Sequence, residues 1–297
     1  MAIAHYIKEI GRGKEGSRSL SREQSCDLML QILNGGVSDL EIGGFCLAMR
    51  IKGETTQEML GFLDAVHSCL QKIPNPHHQP VVVIPSYNGA RKLPVLTPLL
   101  AASLARAGLA VLVHGCQTED KRVSCADVFK EMGIEPLTKI NAIEPGVVAY
   151  IPTALLCPAL KKLLDVRRIV GLRNPAHSLV KLMMPVDGEQ YLVTSYTHPE
   201  YATSMSDTLQ HMKANALLLR GTEGEPVADP RRTPQMQWIQ QGQIIKTTKA
   251  AEGPIAQMPQ LPAIDAKSTA RYILEKLGSD TNLQIQGILS ACGLEVV

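Results

Sequence analysis

Three short segments gather reactive and ligand-binding residue types. Pro85-Ser86-Tyr87-Asn88-Gly89-Ala90-Arg91-Lys92 combines a glycine, small polar groups, an aromatic ring and two adjacent cations, a set suited to phosphate. Gly171-Leu172-Arg173-Asn174-Pro175-Ala176-His177 puts a cation and two hydrogen-bonding side chains next to Arg167 and Arg168, and Gly221-Thr222-Glu223-Gly224-Glu225 carries two carboxyl groups. Turns after strands are where α/β folds place ligands. The competing reading of each segment is a loop held by its own side-chain hydrogen bonds.

The charge pattern points the same way. The chain carries 30 Lys and Arg against 28 Asp and Glu, so the net charge of +2 is small, but the charge is segregated. No acid lies between Ala65 and Thr118, a stretch holding Lys72, Arg91, Lys92 and Arg106, and none between Val166 and Val186, which holds Arg167, Arg168, Arg173 and Lys181. Arg12, Lys14 and Arg18 add cations near the start, while acids such as Glu252, Asp265 and Glu275 collect in the tail. Such a basic face is a footprint for a polyanion, although charge runs are also ordinary solvated surface.

Other chemistries are missing from the sequence. Gly11-Arg12-Gly13-Lys14 has the wrong length for a phosphate-binding P-loop, and no Gly-x-Ser-x-Gly elbow occurs. His77-His78 has no third ligand at metal spacing. Seven cysteines, an odd number without Cys-x-x-Cys spacing, argue for reduced thiols rather than a disulfide framework or zinc site. No metal or cofactor is expected. The longest apolar run, Leu93 to Val113, is broken by Pro94, Pro98, Arg106 and Gly108, so no membrane span is expected; the first sixteen residues lack a secretory pattern, which places the protein in the cytoplasm.

The elements that must position these residues follow from the apolar spacing. Ser21-Arg22-Glu23-Gln24, Ser38-Asp39-Leu40-Glu41 and Thr55-Thr56-Gln57-Glu58 are capping boxes, each followed by apolar residues at helical spacing. They define a helical domain over 1–75. The proline-rich stretch Ile73 to Pro80 reads as a linker. Beyond it, Val81–Ile84, a helix over Thr97–Ala107 and Leu109–Val113 form a βαβ unit, which implies a parallel sheet. Strands at Val147–Ile151, Gln190–Ser195 and Ala216–Leu219 and helices at Ser124–Met132 and Ala159–Val166 extend an α/β domain over 76–297, helical again from about Ala266 to Cys292.

The run from Asn34-Gly35 through Asp39-Leu40-Glu41-Ile42-Gly43-Gly44 to Thr55 resembles the N-terminal helical domain of the anthranilate phosphoribosyltransferase and nucleoside phosphorylase superfamily. Tyr6 to Lys14, Pro85 to Lys92, Thr97 to Leu100, Arg173 to Leu179, His198 to Tyr201 and Gly221 to Glu225 resemble a nucleic-acid-binding branch of it, and the likeness covers nearly the whole chain. The fold implied is α/β, a small N-terminal helical domain plus a larger domain with a mostly parallel sheet. The family also implies a homodimer through the helical domain.

The departures from the enzyme pattern bear on function. Where the enzymes carry Gly-Thr-Gly-Gly-Asp, this chain has Ser86 to Lys92; their Lys-His-Gly-Asn-Arg is Val113-His114-Gly115-Cys116-Gln117; their magnesium-holding Asp-Glu pair falls on Pro226 and Val227. The reading is therefore a non-enzymatic homodimer that binds DNA or RNA largely without sequence specificity. Its contacts are Arg12, Lys14, Arg18, Tyr87, Asn88, Arg91, Lys92, Arg106, Arg167, Arg168, Arg173 and Lys181. Tyr87 either stacks on a base or packs on its own loop. Ser86, Asn174, His177 and Glu223 are candidates for a residual small ligand. The rival is a magnesium-dependent phosphoribosyltransferase or phosphorylase, with Arg173 and His177 on the substrate and Glu223 or Glu225 recruiting the metal.

Overall fold

The computed structural model describes residues 3–13, 15–255, 258–277 and 282–294. Lys14, one of the expected contacts, lies outside them. Along the chain the elements are α1 (Ala4–Ile10), α2 (Arg22–Leu33), α3 (Asp39–Lys52), α4 (Thr56–Cys69), β1 (Val81–Ser86), α5 (Thr97–Arg106), β2 (Ala110–Gly115), α6 (Cys125–Glu131), β3 (Val148–Pro152), α7 (Thr153–Leu156), α8 (Pro158–Val170), α9 (Ala176–Leu182), β4 (Gln190–Tyr196), α10 (Glu200–His211), β5 (Ala216–Arg220), β6 (Met236–Gln240), β7 (Gln243–Thr248), α11 (Ala266–Lys276) and α12 (Leu283–Ala291).

These elements divide into two compact units. The first joins the chain up to Gln71 with Thr153–Pro185. Its helices start where the capping boxes place them: Ser21, Ser38 and Thr55 each accept from the third backbone N–H, and Gln24, Glu41 and Glu58 reach back to the cap. Phe45 and Phe62 meet edge to face at 5.9 Å, both fully buried.

The expected boundary at 75 misassigned the second segment, because α7, α8 and α9 belong with the helices and not with the sheet. Buried Leu160, Leu163, Leu164, Leu179, Val180 and Leu182 need apolar cover, and α8 contacts α2 while α9 contacts α4. Hydrogen bonds fix the join: Gln71 N–H donates to the Leu156 carbonyl (2.9 Å), and Met184 N–H to His67 Nε2 (3.1 Å).

The second unit, Lys72–Pro152 with the chain from Val186 onward, is built on one seven-stranded sheet of order β3-β2-β1-β4-β5-β6-β7. The first five strands are parallel, with Val81 opposite Ala110 on one side and Gln190 on the other. Strands β1, β2 and β4 are buried on both faces, β1 and β2 through continuous apolar runs and β4 with the polar Gln190, Thr194 and Ser195 among its buried residues. Val82, Leu104, Val111, Phe129, Val193, Leu217 and Ile288 are fully buried in the core of this unit. The proline-rich stretch read as a linker is tied into the unit: Asp187 N–H donates to the Ile73 carbonyl, and Asn75 Nδ2 donates to the Glu189 carbonyl.

The antiparallel β6–β7 hairpin is absent from the sequence reading. It closes on the two-residue turn Gln241-Gly242, both with positive φ (48° and 76°).

Chain direction reverses its order of strand addition between β1 and β4. The crevice at the carboxyl ends of strands flanking such a switch is where open α/β sheets bind ligands. The turns after β1 and β5 both lie on that edge.

Candidate functional site

The turn from Ser86 to Leu93 links β1 to α5, and its backbone N–H groups converge on two side chains from beyond β5. Glu225 Oε1 accepts from Asn88 N–H (2.9 Å) and Gly89 N–H (2.8 Å). Its Oε2 accepts from the Ser86 hydroxyl (2.5 Å) and the Thr97 hydroxyl (3.1 Å). Glu223 Oε2 accepts from three successive N–H groups, Arg91, Lys92 and Leu93, at 3.0, 2.8 and 3.0 Å. Burial on its own would raise the pKa of Glu223; the three donors outweigh it and hold the carboxyl below the usual glutamate range.

Local chain geometry makes this convergence achievable. Gly89 takes φ +64°, and a Cβ there would lie 2.6 Å from the Val123 carbonyl oxygen; Ala90 and Val123 exchange backbone hydrogen bonds beside it (2.8 and 3.0 Å). Gly224 takes φ +89°, with its carbonyl accepting from Asn88 Nδ2 (3.0 Å) and the Ser195 hydroxyl (2.9 Å). Gly221 has no room for a side chain, since a Cβ there would meet the Glu225 carbonyl oxygen at 2.2 Å.

The expected contacts divide on this geometry. Ser86, Asn88 and Glu223 are brought to one place, but there they bind the two turns to each other: Ser86 and Asn88 donate to Glu225 and to the Gly224 carbonyl, and Glu223 accepts from the Arg91, Lys92 and Leu93 N–H groups. Asn88 is buried, with its N–H and Nδ2 both committed, so it does not face a ligand. Tyr87 is also buried: its hydroxyl lies 2.8 Å from His114 Nδ1, and the two rings meet edge to face. That partner lies on β2, so the ring packs on the neighbouring strand and not on its own loop, and its burial leaves little ring surface for a base. Burial pulls the pKa of His114 down to about 3, so the ring is neutral. The side chains of Arg91 and Lys92 are exposed. Arg106 is exposed too, but it ends the ten-residue α5 whose first residue, Thr97, touches Glu225, so it stands about 13 Å along the helix from there, toward the other edge of the sheet.

In the helical unit, Arg12 and Arg18 share the carboxylate of Glu9, Arg12 at 2.7 Å and Arg18 at 3.6 Å. Arg168 is exposed at the end of α8, 3.8 Å from Asp165; Arg167 and Arg173 are half-buried. Lys181 is buried on α9, which removes it from any basic face. Asn174 is buried, and its side chain ties α8 to α9: its Nδ2 donates to the Leu163 carbonyl (2.8 Å) and its Oδ1 accepts from Ala176 N–H (3.0 Å). His177 packs its Nδ1 against the Asn174 backbone, and its Nε2 is buried without a hydrogen-bond partner. Burial, then the nearby Arg173, lowers its pKa to about 4.

A magnesium ion does not fit the carboxyl groups that the rival reading assigned to it. Four donors surround Glu225 and three crowd one oxygen of Glu223, which makes the turn a place for negative charge and not for a cation. Among the described residues no group of three or more His, Cys, Asp or Glu is arranged to hold a metal ion. The residue the sequence reading undervalued is Glu225. Its spacing of two from Glu223 in a glycine-rich turn was visible; its partners, 128 to 139 residues away, were not.

Residues 4–69 match the helical bundle domain of a glycosyl transferase family. The chain is 40% identical to the uncharacterized protein YbiB of Escherichia coli K12, over 99% of its own length and 94% of the relative's. It is 28% identical to an anthranilate phosphoribosyltransferase of Methanopyrus kandleri, over 72% of this chain and 62% of that one. Among solved structures, the anthranilate phosphoribosyltransferase of Thermus thermophilus superposes with a TM-score of 0.70 at 18% identity, covering 97% of this chain and 87% of the other. The Saccharomyces cerevisiae enzyme in complex with PRPP and Mg does so with a TM-score of 0.68 at 14% identity, covering 98% and 85%. A relative this similar along its whole length, together with the matched helical domain and the shared fold, shows that the chain belongs to the YbiB branch of the anthranilate phosphoribosyltransferase-like family.

Proposed function

We propose that the protein binds DNA or RNA without sequence preference, as a cytoplasmic homodimer, and transfers no phosphoribosyl group. The observation that carries this reading is the two-faced turn after β1. Its inner N–H groups are consumed by Glu223 and Glu225, while Arg91 and Lys92 extend from the same backbone into solvent. Side-chain cations on a fixed backbone suit the phosphates of a polymer, which need no metal to be held. Arg18 and Arg168, both exposed, add cations in the helical unit.

The dimer is supported by Leu40, Leu47 and Ile51, which lie along one face of α3 and are 87%, 47% and 60% exposed. Among the described residues no helix is long and apolar enough to cross a membrane.

Salt-titrated binding tests the reading. Each phosphate neutralised by a cation steepens the loss of affinity with salt by roughly 0.9 of a slope unit on duplex DNA. Arg91→Ala with Lys92→Ala is expected to weaken binding to unrelated sequences about equally and to lower the slope by roughly one to two units. Lys267→Ala, exposed on α11, is the control and is expected to change neither. The names of the relatives favour the rival reading; magnesium-dependent turnover of phosphoribosyl pyrophosphate with anthranilate would establish it and overturn this one.

A further inference from the structure

Asn88, Gly89, Arg91, Lys92 and Leu93 present five backbone N–H groups on one turn, and all five point at carboxyl oxygens. Clustered N–H groups of this kind form a concavity that takes the oxygens of phosphate or sulfate. The hydroxyls of Ser86 and Thr97 complete it on one side. The concavity is built for an anion, and the anion it holds belongs to the chain.

We infer that Glu223 and Glu225 are built-in anions that make this turn refuse free phosphate, pyrophosphate and other small phosphate esters. The inference concerns the inner face of the turn and does not depend on what the exposed cations bind. A small anion has to displace a carboxylate tethered within the same fold, whose effective concentration is in the millimolar range or above.

The turn that carries the carboxylates has further anchors on either side of Glu223. Ser195 and Asn88 hold the Gly224 carbonyl, and Thr222 N–H and hydroxyl both donate to the Val227 carbonyl (3.2 and 3.1 Å). Glu223 sits at φ +53°, in the left-handed region that disfavours residues with a Cβ, with glycine as its neighbour. Such a conformation costs about 1 kcal/mol and persists where its surroundings over-determine it. Here three hydrogen bonds to one carboxylate oxygen supply that determination.

Calorimetry with pyrophosphate, without added metal, on the full-length protein reads the refusal. Wild type is expected to give no saturable heat in the millimolar range. Glu223→Ala frees three N–H groups beside Arg91 and Lys92 and is expected to bind pyrophosphate at least about tenfold more tightly than wild type. Equal binding by the two proteins, or no gain in a Glu223→Ala variant that melts cooperatively, overturns the inference. If that variant does not fold, wild type carries the test alone. The amide resonances of Arg91, Lys92 and Leu93 are then expected to shift together with one midpoint below the usual glutamate range as pH is lowered. Independent behaviour of the three, or a midpoint at or above that range, refutes it. Nucleic-acid binding, measured on the same samples, has no bearing on either result.

Discussion

Two histidine rings show how far partners distant in sequence decide what a residue does. His114 is fully buried, and His177 presents a buried Nε2; burial lowers their pKa values to about 3 and about 4, the latter with help from Arg173. In the unfolded chain both titrate near 6.5. The folded state therefore declines protons that the unfolded state accepts, and the stability these groups contribute is complete above pH 6.5. It is lost as pH falls from there toward 4 for His177 and toward 3 for His114, with a limiting slope of about 1.4 kcal/mol per pH unit for each ring. Urea midpoints measured between pH 7 and pH 4.5 are expected to fall in wild type and to fall less steeply in His177→Gln. Identical pH dependence in the two proteins would contradict the assignment. The Tyr87 hydroxyl meets His114 across 27 residues, and Glu225 meets Ser86 across 139. A sequence pattern gives the polar groups of a turn but cannot show that they will be spent within the fold, which is why Tyr87, Asn88 and Asn174 read as contacts while the structure buries them among internal partners.

Secondary elements were more legible, because their signals are local. Ser21, Ser38 and Thr55 mark helix starts through residues three positions away, and the apolar runs of β1 and β2 need nothing but burial on both faces. The β6–β7 hairpin lacked such a signal: β7 is almost wholly exposed, and its turn places glutamine, not the usual asparagine, at the first left-handed position. Packing between elements was also hidden. Gly61 lies mid-helix in α4, where a Cβ would stand 2.2 Å from the Arg22 carbonyl oxygen and 2.7 Å from Ser25 Cβ on α2. Alanine has the better helix propensity by about 1 kcal/mol, yet overpacking against backbone costs about 1–3 kcal/mol. Gly61→Ala is expected to lower the urea midpoint; an unchanged or raised midpoint would show that α2 and α4 separate easily.

For the molecule as a whole, the assembly proposal rests on the apolar face of α3. Leu47→Asp with Ile51→Asp changes two exposed side chains, so the folded chain should tolerate it, while a dimer using that face would not. Light scattering at micromolar concentration is expected to give twice the chain mass for wild type and a single chain mass for the variant. A monomeric wild type would remove the dimer altogether. The division into a helical and an α/β part was legible from the change in periodicity; the return of the chain to the helices after β3 was not, because α8 and α9 carry ordinary amphipathic patterns that suit either partner. That return also sets an order of events during synthesis. The first four helices leave the ribosome well before the segment ending at Pro185 that completes their unit, and β1 must wait for β4 to cover its second edge. Neither unit can be finished before the ribosome has passed Pro185, so a nascent chain holds two half-built cores at once, with β1 offering an unpaired strand edge to any neighbour until β4 arrives.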